Sequence, residues 1–133
     1  MSAIRAVISG IESEKNLNIV TFTFGPHQLC MMSLDLSGDM KVGKKVLLEA
    51  KPSHIAIGLG RCEDISYCNK LPCKISAIEK GRLVSVIALA CEDTYLESII
   101  TTRSVEKMRL RQGAEVSAYI KASELSIKEV CDD

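Results

Sequence analysis

The chain has 133 residues, 47% of them hydrophobic, and its 17 basic side chains are balanced by 17 acidic ones. That is apolar material for one domain or two very small ones, without the positive field that drives non-specific binding to nucleic acid. The absence of tryptophan and an aromatic content of 4% disfavour a base-stacking surface. No apolar run is long enough to cross a membrane, and residues 1–10 lack the pattern of a signal peptide. The expected setting is the cytoplasm, away from membranes.

In chain order, Leu17 to Phe24 is the first clear strand: Val20, Phe22 and Phe24 alternate with Ile19, Thr21 and Thr23 before a Gly25-Pro26 turn. Asp35 to Met40 is short and irregular, and Gly58 to Lys70, with Gly60, Glu63 and Asp64, reads as a linker of ordinary length. Further strands are expected at Leu83 to Ala90, Tyr95 to Ile100, Glu115 to Lys121 and Leu125 to Val130. A helix of one or two turns is expected at Ser104 to Arg109. Thr101 and Thr102 offer cap hydroxyls, and Val105, Met108 and Leu110 supply an apolar face.

Laid on itself, the chain repeats. Val42 to Val46 and Lys51 to Ile57 match Gln112 to Val116 and Lys121 to Ile127 at one constant offset, with the pattern G-x-x-V-x-x-x-x-K-x-S-x-[I/L]-x-I. Ile8 to Glu12 matches Ile75 to Glu79 at a slightly shorter offset, so three inserted residues separate the two anchors in the second half. The expected units are a first repeat at 1–60, a linker at 61–70 and a second repeat at 71–133. Small antiparallel barrels are the natural closure for such strands, because an open sheet of this size leaves edges exposed.

The six cysteines, Cys30, Cys62, Cys68, Cys73, Cys91 and Cys131, are expected to be free thiols in a chain without a secretion signal. Their spacing, with His27 and His54 elsewhere, is not that of a zinc site. Both histidines lack an evident partner and read as solvated or capping groups. No phosphate loop, dinucleotide turn or flanked nucleophile is present, so no enzyme is expected. What remains are donors at element junctions: Thr101, Thr102 and Ser104 at the helix start, and Lys121 with Ser123 between two strands. A tetrahedral oxyanion accepts hydrogen bonds and gives none, so donor-only groups suit it. The same residues also read as helix caps and solvated surface groups.

The segments Asn69-Lys70-Leu71-Pro72, Ile99 to Met108, Gly113 and Tyr119 to Ser123 resemble the molybdate-binding Mop (TOBE-like) domain of the molbindins. They also resemble the tandem Mop region of the molybdate-responsive repressor. The resemblance runs most closely over Ser66 to Val130 and more loosely over Ile4 to Leu59. It implies an all-β chain with short helices, folded as two tandem five-stranded OB-like barrels (di-Mop), with molybdate or tungstate held between modules and no organic cofactor. By position it implies oxyanion contacts from Ser66, Asn69, Thr101, Ser104, Lys121, Ala122 and Ser123, and from Lys51 and Ser53 in the first repeat. Ser66 to Lys70 falls where the family has Ser-Ala-Arg-Asn-Gln, so Cys68 replaces an arginine and removes a positive charge. Asp35 stands where the first repeat would want a donor, so that repeat is expected to be partly structural.

The leading expectation is a cytoplasmic binding protein for molybdate or tungstate, serving storage, homeostasis or sensing. It would be a homo-oligomer, with a trimer favoured over a dimer. No helix-turn-helix precedes the first repeat, so direct DNA binding is not expected. The alternative is a ligand-free regulatory or assembly module of a molybdate transporter ATPase or transcriptional regulator. Single-stranded nucleic-acid binding on the barrels is a third reading, disfavoured by charge and aromatic content.

Overall fold

The computed structural model describes residues 3–60 and 64–131. Five strands come from the first half of the chain: β1 (Ala3–Glu14), β2 (Leu17–Phe24), β3 (His27–Ser33), β4 (Lys45–Glu49) and β5 (Ala56–Gly58). The second half supplies β6 (Asn69–Lys80), β7 (Val84–Cys91), β8 (Thr94–Thr101), β9 (Glu115–Ile120) and β10 (Ser126–Val130). The helix α1 (Thr102–Met108) lies between β8 and β9, and 3-10 turns at Pro52–His54 and Ala122–Glu124 precede β5 and β10.

The repeat is visible in the backbone. Gly43 and Gly113 both sit at positive φ (96° and 88°) and donate their N–H groups to Ile8 and Ile75, 2.8 Å in each case. Glycine is required there because a side chain is disfavoured in that conformation. Both long first strands carry a bulge at the matching place, between Ile8 and Gly10 and between Ile75 and Ala77. Ser9 and Ser76, at those bulges, each donate a hydroxyl across to the next strand, to the carbonyls of Thr21 and Ala88. The inserted residues of the second half lie where α1 is, whereas Leu34 to Lys44 makes only turns.

Sheet membership crosses the sequence repeats. The two five-stranded sheets have the orders β10-β4-β1-β2-β3 and β5-β9-β6-β7-β8, so each repeat sends its last strand into the other's sheet. Lys51 (φ −65°, ψ 139°) and Lys121 (φ −67°, ψ 146°) leave the fourth strands extended, and one 3-10 turn re-aims the chain. A turn so short carries the backbone off its own sheet, and the open edge of β9 or β4 accepts it. The crossing segments also close the barrels: the first 3-10 turn packs on β8 and the second on β3. Ser98 on β8 donates its hydroxyl to the carbonyl of Ile55, just beyond the first turn.

Alternation places Val20, Phe22 and Phe24 of β2, Val46 and Leu48 of β4, and Ile87 and Leu89 of β7 in one continuous core that spans both sheets. Ile55 and Leu125, each 2% exposed, anchor the crossing segments in it. Asn69–Lys70, read from sequence as the end of the linker, already belong to β6. Contrary to the expectation of free thiols, Cys30 pairs with Cys68 and Cys73 with Cys91, with Cα atoms 6.7 and 4.5 Å apart. Those separations suit a disulfide. Cys30 and Cys68 meet because β3 of one repeat lies beside the start of β6 of the other, and Cys73 and Cys91 because β6 and β7 are neighbours. Cys131 is free, and Cys62 lies outside the described residues.

The anchors generate a prediction. Truncating Leu125 or Ile55 to alanine is expected to cost about 2–5 kcal/mol through lost burial and the cavity left behind. Leu34→Ala, at a site 64% exposed, should change stability by no more than about 0.5 kcal/mol. Urea unfolding would contradict the crossing arrangement if all three variants shifted the midpoint alike.

Candidate oxyanion site at the crossover turns

The two 3-10 turns approach each other, joined by His54 Nδ1 to Glu124 Oε2 at 2.7 Å. His54 and Glu124 occupy equivalent places in the repeats, so the pair lies where the two crossing paths meet. His27 is likewise paired, through Nε2 to Glu92 Oε1 at 2.9 Å. Sequence reasoning left both histidines without partners because both partners come from the other repeat.

Two clefts flank the His54–Glu124 pair. One, of about 270 Å³, is lined by Lys121 and Ser53, with Tyr67, Ile99 and Ile100 forming apolar walls. The other, of about 640 Å³, contains Lys51 and Ser123 together with Ser126 and Lys128. Each cleft therefore takes its lysine from one repeat and its crossover serine from the other. Lys51, Ser53, Lys121 and Ser123 are exposed. Lys121 and Lys51 have no ion-pair partner among the described residues, and the hydroxyls of Ser53 and Ser123 have no hydrogen bond there. The N–H groups of Ala122 and Ser123 open a 3-10 turn, where the first donors have no acceptor within the turn.

The clefts differ in charged lining. Glu49, Glu97 and Glu124 line the larger one beside Lys51 and Lys128, whereas the smaller has Lys121 beside Glu124, which His54 contacts. A small dianion is repelled by each nearby carboxylate, and fewer of them line the smaller cleft.

The remaining expected contacts lie elsewhere. Asn69 is fully buried, and its side chain accepts from Cys30 N–H (2.7 Å) and donates to Cys30 carbonyl (2.9 Å). It is a clasp between β3 and β6, with its amide committed to backbone. Thr101 caps α1: its hydroxyl accepts from Ser104 N–H (3.2 Å) and donates to Ser104 Oγ (2.9 Å). Thr102, buried behind it, donates to Gly81 carbonyl and meets Ser85 Oγ. Neither Thr101 nor Ser104 lines either cleft. Ser66 is exposed on the segment leading to Tyr67, and Asp35 is exposed and outside both clefts. Sequence reasoning missed Tyr67, His54 and Glu124 as lining groups; the shared repeat position of His54 and Glu124 was the available signal. Tyr67 packs edge-on against Tyr119, with ring centroids 6.0 Å apart. Tyr119 is 3% exposed, and its hydroxyl is buried without a hydrogen-bond partner among the described residues.

Comparison with known proteins follows the same outline. The TOBE domain model matches residues 65–127. The structure of the cytoplasmic molybdate-binding protein ModG, solved with molybdate bound, superposes with a TM-score of 0.88 at 23% identity, over 94% of this chain and 93% of that one. A molybdate-binding protein from Sporomusa ovata is 33% identical over 50% of this chain and 98% of its own, with a TM-score of 0.48. No match was found among curated protein sequences.

Two substitutions separate the clasp from the orphaned hydroxyl. Asn69→Ala should lose about 1–3 kcal/mol, because both backbone groups of Cys30 are left unpaired. Tyr119→Phe should be neutral or stabilising in denaturant unfolding, since it removes a hydroxyl that forms no bond. Destabilisation of Tyr119→Phe by more than about 1 kcal/mol would show that the hydroxyl has a partner.

Proposed function

The chain belongs to the TOBE domain family, with residues 65–127 as the matched module, and on that premise we propose that it binds molybdate or tungstate without catalysing a reaction. The observation that carries this reading is the pairing of Lys121 with Ser53 in one small cleft, across two repeats whose crossover turns are joined by His54–Glu124. The lysine supplies a point charge and the serine a hydroxyl. Both groups can donate a hydrogen bond to a tetrahedral oxyanion, whose oxygens only accept. The ModG likeness supports the ligand class, since that protein is described as cytoplasmic and carries molybdate. Cytoplasmic storage, homeostasis or sensing of molybdenum is the role that fits.

Lys121 and Ser53 form the first seat, and Lys51 with Ser123 forms a reciprocal one; the N–H groups of Ala122 and Ser123, on the turn that follows Lys121, are further candidate donors. Thr101, Ser104 and Ser66 are candidates for contact only through a second copy of the chain, in keeping with a homo-oligomer, for which a trimer is preferred to a dimer. Asn69 acts by holding the β3–β6 junction. The repeats at 1–60 and 71–133, joined by 61–70, remain the units of the proposal. Among the described residues no helix is long and apolar enough to cross a membrane, and neither a membrane nor a DNA partner is proposed. The alternative, a ligand-free assembly module of a transporter or regulator, draws its support from Cys68, where the resemblance has an arginine, and from the exposed Asp35.

Thermal melting with molybdate, tungstate and sulfate tests the reading. At a hundredfold excess over Kd, a bound oxyanion adds about 2.7 kcal/mol, seen as a melting temperature that climbs with ligand. Lys121→Ala and Ser53→Ala should abolish or weaken that climb. Thr101→Ala should lower the unliganded melt through loss of the helix cap, by about 1 kcal/mol, while keeping the response. No response to millimolar molybdate or tungstate would overturn the proposal in favour of the assembly module.

A further inference from the structure

We infer that Cys30 and Cys68 form a reversible thiol–disulfide switch that sets the position of residues 64–68 and, through Tyr67 and Ser53, the shape of the smaller crossover cleft. The two disulfides differ in access. Cys73 and Cys91 are 7% and 0% exposed, directly across β6 and β7 inside the core. Cys68 is exposed and Cys30 half-buried, at the surface junction of the repeats. Thiol–disulfide exchange needs in-line access of an attacking thiolate to a sulfur, so a reductant reaches the Cys30–Cys68 bond far more readily than the other, where Cys91 is fully buried and Cys73 only borders a cleft. In the reducing compartment proposed for this protein, an accessible disulfide is a two-state element rather than a permanent brace.

The fold keeps both states within reach. Asn69, the residue after Cys68, grips the backbone of Cys30 through two hydrogen bonds, and that clasp does not depend on the sulfurs. Reduced thiols are therefore held near each other, and reoxidation is intramolecular. The chemistry balances with a dithiol as reductant. One of its thiolates attacks Cys68 Sγ, the bond to Cys30 breaks, and Cys30 leaves as a thiolate that takes up a proton. The second thiolate of the dithiol then attacks the mixed disulfide, releasing Cys68 and the oxidised dithiol; a small disulfide drives the reverse exchange.

The consequence follows from what the bond encloses. The covalent loop from Cys30 to Cys68 contains Lys51, Ser53 and His54, and Tyr67 stands next to its closing residue. Oxidation restrains Tyr67 against Tyr119 and holds the Ser53 turn in the same loop; reduction leaves Asn69 as the anchor there and frees the segment before it. The oxidised chain thus has the preorganised cleft. This effect on affinity rests on the proposed oxyanion site, whereas the switch itself does not.

The experiment uses the full chain in Tyr95→Phe form, which leaves Tyr67 and Tyr119 as reporters in a protein without tryptophan. It is poised with oxidised or reduced dithiothreitol. Alkylation read by mass spectrometry should add label at Cys30 and Cys68 on reduction, with Cys73 and Cys91 protected. Tyrosine fluorescence should change in step, and molybdate affinity should fall by about fivefold or more, the lower range of a coupling between sites. Cys30→Ser and Cys68→Ser should each behave as the reduced form and ignore dithiothreitol. The switch is overturned if Cys73 and Cys91 are labelled first or together with the outer pair, or if the outer pair opens with no change in fluorescence. If fluorescence responds and molybdate binds in both states with equal affinity, the coupling to the cleft is overturned. If molybdate binds in neither state, the proposed function fails while the fluorescence still decides the switch.

Discussion

Everything in this molecule hangs on the exchange of the last strands between the two repeats. Neither barrel is complete without the other's tail: β4 and β9 would be bare edges, β3 and β8 would lack the 3-10 turns that cover them, and Leu125 and Ile55 would lose their core. Backbone edges and apolar anchors are satisfied by the same few residues, so the two halves form one cooperative unit. The crossing segments also line both clefts. Lys51, Ser53, Lys121 and Ser123 belong to the turns that make the exchange possible, and groups from separate repeats converge because the backbone paths converge.

Much of the fold was legible because its signals are local. Alternation in Leu17 to Phe24 marked β2, and Thr101 with Val105 and Met108 marked α1, which begins two residues earlier than expected because Thr101 itself is the cap. The Gly43 and Gly113 matches were legible as a repeat, and the structure supplies their cause in a positive φ. What stayed hidden was non-local. Nothing in Ser126 to Val130 states that its partner is β4 rather than β9, since both edges want the same alternation. Spacing does not say that Cys30 will meet Cys68, and the expectation of free thiols failed on that tertiary fact. That Lys121 shares a cleft with Ser53 and not with Thr101 was not legible either, because it depends on the crossing.

Asn69 has a structural task that its place in the motif does not announce. It falls in the segment that resembles the family's anion-binding stretch, yet both faces of its amide are spent on the backbone of Cys30. A buried amide with that geometry fixes how the repeats abut, and the neighbouring Cys68 and Tyr67 inherit their positions from it. Cys68, where the resemblance leads one to expect arginine, exchanges a fixed positive charge for a covalent partner.

The His54–Glu124 contact has a bearing on why two modules share one chain. Were a single module to pair with an identical copy about a twofold axis, the same side chain would face itself: imidazole against imidazole, or carboxylate against carboxylate. An imidazole and a carboxylate can face each other there only when the two halves are free to diverge. Covalent tandem duplication grants that freedom, and it makes each half recognise its own companion in preference to a duplicate of itself.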